Sequence, residues 1–253
     1  MVGHPKVYDT IGQQYRRRRN PDARIAAQIN RALGDARTVC NVGAGTGSYE
    51  PSDREVVAVE PSQVMIAQRN SKHRVVNAYA ESLPFPDNSF DAAMAILTVH
   101  HWSDPIKGLA EMRRISQRQL VLTFDPGRQM NYWLVGEYLP EIAALERDRV
   151  MSIEQIKGCL RTQTVECVPI PWDCTDGFQA AYWRRPAEYL KQEVRSTIST
   201  LALLPQEVVS KAMARLADDL ASGKWATRHA ELLKRDEMDF GYRLIISDKL
   251  SGH

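Results

Sequence analysis

No apolar run in this chain of 253 residues approaches the roughly 18 residues that a membrane-spanning helix needs. The opening residues, Met1-Val2-Gly3-His4-Pro5-Lys6, lack the apolar stretch of a secretory signal. The expectation is a cytoplasmic protein with no membrane partner. Cysteine is scarce. Cys40, Cys159, Cys167 and Cys174 are the four present, and no two form a C-x-x-C pair. That spacing gives zinc poor support and leaves free thiols in a reducing compartment as the expectation. A strong charge of one sign is lacking too, since 33 Lys+Arg against 31 Asp+Glu leave only +2. This argues against a whole-protein nucleic-acid footprint. There is no internal repeat and no low-complexity tract. What is present is 43% hydrophobic and 25% charged, the composition of a globular chain that can bury a core.

The small net charge is unevenly spread. Residues 1–36 carry +4 and the remainder −2, with Arg16-Arg17-Arg18-Arg19 dominating the excess. The plain reading of that run is a solvated arginine face. Strand and helix signals alternate through the first half. Thr38–Val42, Val56–Val59, Arg74–Asn77, Asp91–Leu97 and Leu120–Phe124 are apolar runs with little polar alternation, as in strands buried on both faces. Ser62 can cap a helix through Arg69, and Asp104-Pro105 opens another with cap and first-turn proline. Such alternation predicts a largely parallel sheet covered by helices. Further on, 133–146 and 153–161 read as helices, Thr164–Ile170 as an edge strand interrupted by proline, and 171–238 as predominantly helical. Asp239–Ser247 reads as a closing strand.

The strongest chemical signal is a strand, then Gly43-Ala44-Gly45-Thr46-Gly47, then a second strand ending in Glu60. Glycines let a backbone turn tightly and approach a ligand. A carboxylate at the next strand's tip can hold two ribose hydroxyls. The pattern describes a site for an adenosine-containing cofactor. A nicotinamide fingerprint would want its third glycine at position 48, which is Ser. The arrival of Pro51 leaves only a very short helix after the loop, which disfavours a pyrophosphate.

Val39-Cys40-Asn41-Val42-Gly43-Ala44-Gly45-Thr46-Gly47 resembles motif I of the class I S-adenosylmethionine-dependent methyltransferases. Val57–Ser62 resembles their second motif. Ala80–Asp91 is similar to the segment after the third strand in the ubiquinone/menaquinone-biosynthesis-type (methyltransferase type 11) branch. Thr98-Val99-His100-His101-Trp102 and Glu111–Ile115 extend the likeness, which covers about residues 36–126 in order. The resemblance implies an α/β fold: a Rossmann-like, seven-stranded, mostly parallel sheet with one antiparallel strand, plus a helical cap. It divides the chain into N-terminal cap helices at 1–36, the cofactor-binding core at 37–170, a helical lid insertion at 171–238, and the last core strand and tail at 239–253.

The resemblance also implies roles. Gly43, Ala44 and Gly45 would pass under the methionine and ribose of S-adenosylmethionine, with S-adenosylhomocysteine as product. Glu60 would take the ribose hydroxyls, and Pro61 and Ser62 would flank the adenine. Ala80 and Glu81 would read the adenine ring, and Leu97 would offer backbone to the methionyl end. Tyr15 would cover the cofactor and Arg19 would meet its carboxylate, as in the family's lid-forming N-terminal helix; the alternative is an amphipathic helix with aromatic anchors. The chain departs from the pattern at Asn41, where the family has an acid, and at Tyr79, often Asp. Asn41 can still accept a hydrogen bond from the amino group.

His101 and His100 lie beside the expected methyl position and are the candidate catalytic bases; the alternative is packing against Trp102 and a loop-orienting role. No third ligand accompanies them, so no metal is expected. Trp102, Tyr182 and Trp183 stand as candidate acceptor contacts, the last two in a stretch dense in aromatics, acids and arginines. Their alternative is a helix-packing cluster. Residues 171–238 hold ten Lys/Arg and ten Asp/Glu, which is no phosphate-binding face. The expected function is methyl transfer to an O, N or C nucleophile of a small-molecule acceptor. A tRNA or protein methyltransferase, supported by Arg16–Arg19, and a non-catalytic binding protein, supported by Asn41 and Tyr79, remain open.

Overall fold

Val39, Cys40, Asn41 and Val42 are all buried, so the first strand, β1 (Thr38–Val42), has almost no solvent face. The computed structural model describes residues 19–249. After β1 come β2 (Glu55–Val59), β3 (Arg74–Val76), β4 (Phe90–Ile96), β5 (Ser116–Phe124), β6 (Thr164–Cys167) and β7 (Tyr242–Asp248). They form one sheet in the order β3-β2-β1-β4-β5-β7-β6. β7 alone runs antiparallel to its neighbours, pairing Leu122 with Leu244 on one side and Val165 with Ile245 on the other. The strand order reverses at β1, which lies between β2 and β4. Sheets of this kind bind ligands at the carboxyl edge of that switch point.

Local chemistry starts the helices. Asp22 accepts from Arg24 N–H at 3.0 Å at the head of α1 (Ala23–Leu33), whose Ile25, Ile29 and Leu33 face the sheet. Ser62 caps α2 (Gln63–Ala67) through Met65 N–H at 3.3 Å. Asp104 caps α3 (Pro105–Ile115) through Lys107 N–H at 3.0 Å, with Pro105 in the first turn. A hydroxyl or carboxylate at these positions satisfies amides that the helix itself leaves open. α4 (Glu141–Arg149) and α5 (Ile153–Leu160) follow β5, and α6 (Gln206–Ala221) is the long helix of the cap.

Two expectations are adjusted. The helix expected at 133–146 is broken: a π turn at Leu134–Tyr138 ends at Leu139, and α4 begins after Pro140. Proline removes an amide donor and disfavours the helical conformation of the residue before it, and Leu139 sits at φ −136°, ψ 62°. The strand expected to run to Ile170 stops at Cys167. Pro169 follows, and Ile170–Pro171 pairs instead with Glu237–Met238 in a separate ribbon. That ribbon joins the two ends of the cap segment. Between them lie α6, several shorter helices and the tight turns Gln179–Tyr182 and Pro186–Leu190. Trp133, Trp183, Tyr189 and Trp225 fill the cap's interior. No helix among the described residues is long and apolar enough to cross a membrane.

Candidate active site

β1 ends at a loop whose Gly43, Gly45 and Gly47 take φ of +69°, +54° and +93°. Residues 45–49 form turns with no helix. The Gly43 and Ala44 amides both donate to Val59 O, at 2.9 and 3.0 Å, which ties the loop to the end of β2. A Cβ at Gly43 would overlap Thr98 Oγ1, so the backbone approach there depends on glycine. Glu60 follows β2 and is 7% exposed. Its Oε2 accepts from Gly45 N–H at 2.8 Å and its Oε1 from Ser62 N–H at 2.9 Å. Burial pushes the Glu60 carboxyl up, and these two amides with Arg69 oppose that only in part. A buried carboxylate of this kind gains from further donors, such as a pair of ribose hydroxyls. Asn77 Nδ2 donates to the carbonyls of Glu60 and Pro61, both at 2.9 Å, and fixes this corner.

The loop and Glu60 open onto a cavity of about 350 Å³. Asn41, Gly43, Ala44, Gly45, Glu60, Pro61, Ala80, Glu81, Leu97, Thr98 and Trp102 all border it, as does Met65, which the sequence did not single out. Tyr79 stands at the wall, 55% exposed. Glu81 borders the cavity, but its Oε1 is engaged at the start of α3, accepting from Ser103 N–H (2.7 Å), Ser103 Oγ (2.8 Å) and Asp104 N–H (3.0 Å). Asn41 is 1% exposed. Its Nδ2 donates to Glu50 Oε1 at 3.0 Å, and Glu50 is paired with Arg69, whose Nη1 donates to Gly45 O at 3.0 Å. Asn41 Oδ1 has no hydrogen-bond partner among the described residues. A buried acceptor without a donor, on a cavity wall, suits a ligand's ammonium group.

Leu97 turns the chain at the carboxyl end of β4 with φ +53°, held by its N–H to Leu122 O at 2.8 Å. A tight turn at Val99–His101 follows and brings the His100 and His101 ring centroids to 3.9 Å. His101 borders the cofactor cavity and also an inner chamber of about 50 Å³; His100 borders only the chamber. Adjacent side chains therefore reach one space, because the turn folds their rings together. Burial, with Arg149 and Arg19 nearby, pushes the His100 ring down to about 3, so it is neutral at ordinary pH. The chamber's other walls include Phe124, Gln129, Glu146, Phe178, Gln179, Thr200 and Tyr242. Apart from Phe178, which belongs to the aromatic stretch that opens 171–238, none of these stood out in the sequence.

Arg19 borders both spaces, and its guanidinium forms a bidentate pair with the buried Asp176, Nη2 to Oδ2 being 3.2 Å. Tyr49 also donates to Asp176, at 2.9 Å. Tyr15 and Arg16–Arg18 lie outside the described residues. Tyr182 and Trp183 border neither space. Tyr182 packs under Arg185 (5.0 Å), and the Trp183 indole N–H is shared between Ile170 O and Pro171 O at 3.0 and 3.1 Å. Both rings serve the cap's interior. No cluster of three or more metal-ligating side chains occurs among the described residues.

Strand order, the glycine loop, the buried Glu60 carboxylate and the orphaned Asn41 oxygen together build a Rossmann-like domain with a ligand cavity at its switch point. The family described as "Methyltransferase domain" matches residues 40–122. A solved structure described as a putative methyltransferase from an antibiotic biosynthesis pathway of Anabaena variabilis is 34% identical. It covers 90% of this chain and 98% of its own, with a TM-score of 0.84. Over 120 residues the chain is 31% identical to the uncharacterized methyltransferase YcgJ of Bacillus subtilis, covering 43% of this chain and 44% of that one. It is 33% identical, also over 120 residues, to the demethylmenaquinone methyltransferase of Renibacterium salmoninarum, covering 42% and 51%. The chain thus spans about half the length of these curated relatives. It belongs to the S-adenosylmethionine-dependent methyltransferase family, and its cofactor is S-adenosylmethionine.

Proposed function

We propose that the protein transfers a methyl group from S-adenosylmethionine to an oxygen, nitrogen or carbon nucleophile of a small-molecule acceptor. The observation that carries this reading is the arrangement of the two spaces. The cofactor cavity shares Leu97, His101 and Arg19 with the inner chamber, so an acceptor seated there would border the cofactor. A recess this small beside the cofactor suits the reactive end of a small molecule better than a polymer.

In this reading residues 37–170 with 239–253 are the core, 1–36 a cap, and 171–238 a lid. Asn41 Oδ1 accepts from the cofactor's ammonium, Glu60 from its ribose hydroxyls, and the Leu97 backbone faces its methionyl end. Bound S-adenosylmethionine supplies a methyl group that is already electrophilic. The chain's contribution is to align the acceptor and to exclude water. His101, at the junction, is placed to take a proton from an acceptor that still carries one.

Calorimetric titration with S-adenosylmethionine, S-adenosylhomocysteine and NAD tests the proposal. The expected result is micromolar binding of the first two and none of NAD. Absence of binding to both would return the non-catalytic reading. Product formation with a panel of small acceptors then separates O-, N- and C-methylation.

A further inference from the structure

Asn41 carries an amide with two unlike ends, an oxygen that accepts and a nitrogen that donates. An ammonium pairs with the first and is repelled by the second. The end that meets the cavity is set by what holds the other end. Asn41 lies between Ala58 of β2 and Met94 of β4 and is 1% exposed, so its side chain has little room to move. Its holder is Glu50, whose Oε1 accepts from Asn41 Nδ2 at 3.0 Å. A carboxylate only accepts, so the amide end facing it is the nitrogen, and Oδ1 is left over on the cavity side. Turning the amide over would set two oxygen acceptors against each other. Glu50 is itself fixed. Arg69, just past α2, donates from Nη2 to both of its oxygens, at 2.6 and 2.8 Å, and both side chains are almost wholly buried. Gly47 packs directly against the pair, since a Cβ there would stand 3.0 Å from Glu50 Oε2. Arg69 Nη1 also donates to Gly45 O, and the Gly45 amide donates to Glu60 Oε2. One run of hydrogen bonds thus joins the Asn41 end of the cavity to the Glu60 end.

We propose that Glu50, held by Arg69, is a positioning residue that locks the Asn41 amide with its oxygen toward the cavity and so selects a ligand whose tail carries an ammonium. This rests on the assignment of Asn41 to the cofactor's ammonium made above. Glu50 has no contact with the ligand and acts through the amide. A carboxylate on the N–H side polarises the amide and makes its oxygen a stronger acceptor. Arg69 balances the charge, so the cavity meets an oriented dipole rather than an anion beside Glu60. Without the pair, Asn41 could present either end, and discrimination for an ammonium would be lost while the adenosine contacts stayed.

The test titrates the full chain at pH 7 with S-adenosylhomocysteine and with its deamino analogue, in which hydrogen replaces the ammonium and the carboxylate is kept. The parent chain is expected to bind S-adenosylhomocysteine about tenfold tighter than the analogue, the effect of one charged hydrogen bond. In Glu50→Gln the side-chain N–H can donate to Asn41 Oδ1, so the amide is no longer locked. The ratio of the two affinities is expected to fall at least about threefold, with the analogue binding no more weakly than before. Glu50→Leu/Arg69→Met is the second variant. It replaces the pair by apolar side chains of similar size, which a fold tolerates better than one buried charge left alone, and it is expected to lower the ratio as well. A purely structural role would weaken both ligands together and leave the ratio unchanged. A ratio equal to the parent's in either variant would therefore overturn the proposal. A parent ratio near one would instead remove Asn41 from the ammonium, and the reading beneath the proposal would fall with it.

Discussion

Asn41 occupies the position where the resemblance leads one to expect an acid, and the reason lies in the side chain beside it. Glu50 Oε1 is 3.0 Å from Asn41 Nδ2, and Glu50 and Arg69 form a pair whose side chains are 3% and 4% exposed. The negative charge is already present, one residue removed. At an effective dielectric of about 20, two carboxylates about 3 Å apart would repel by roughly 5 kcal/mol, so one would take a proton. Asn41→Asp is therefore expected to lower the melting temperature at pH 8 and to recover as pH falls towards 5, because the new carboxyl has a raised pKa. Cofactor binding is not expected to tighten. Tighter binding with an unchanged melt would show that Glu50 does not set the identity of position 41. Glu60 gives the complementary case, a carboxylate whose removal should cost binding. Glu60→Ala is expected to weaken S-adenosylmethionine by about 1.5–3 kcal/mol on the scale of hydrogen bonds to charged groups, read by calorimetry. Unchanged affinity would remove Glu60 from the ribose site.

At the scale of elements, α3 shapes the cofactor cavity through a close contact rather than a functional group. A Cβ at Gly108 would come within 2.5 and 2.8 Å of the Trp102 ring. Alanine is ordinarily better than glycine inside a helix by about 1 kcal/mol. Here overpacking, at about 1–3 kcal/mol, opposes that gain and displaces Trp102 from the cavity wall. Gly108→Ala is expected to give no rise in melting temperature, a change in tryptophan fluorescence, and severalfold weaker cofactor binding. A higher melt with unchanged affinity would count against the packing argument. The elements that could be read from the chain are those whose chemistry is local. β1, β2 and β4 announce themselves by apolar runs, α3 by Asp104-Pro105, and the turn by three glycines within five residues. The inner chamber could not be read in this way. Glu146 and Arg149 are three apart on α4 and look like an ordinary surface pair, yet Glu146 points inward. Gln129, Gln179 and Thr200 come from separate segments and meet only because the cap folds back over β5 and β7. Tyr182 and Trp183 show the converse: aromatic density marks burial, but it does not say whether a ring faces a ligand or its neighbours. Pro140 breaks the helix expected at 133–146 because it offers no amide and holds Leu139 out of the helical region.

Across the whole molecule, the inner chamber couples stability to pH through two buried groups shifted in opposite directions. Glu146 is surrounded by Thr200, Gln179 and Tyr242, with Arg149 on its own helix, and burial is the largest influence on it. Its carboxyl is raised from 4.5 to about 7. The folded state therefore keeps a proton that the unfolded chain releases at lower pH. The resulting contribution is complete below about 4.5 and is lost as pH rises through about 7. His100 is lowered from 6.5 to about 3, with burial again the largest cause, ahead of Arg149 and Arg19. Its contribution is complete above 6.5 and is lost as pH falls towards about 3. Stability is thus eroded from the acid side by His100 and from the alkaline side by Glu146. Glu146→Gln removes the titration while keeping the shape. Relative to the parent chain, the variant should gain about 3 kcal/mol more at pH 8 than at pH 4.5, from a shift of roughly 2.5 pH units at about 1.4 kcal/mol each. Urea unfolding of both proteins at the two pH values measures this. An equal difference at both would mean that Glu146 does not titrate between them, and the alkaline arm of the profile would have to come from another group.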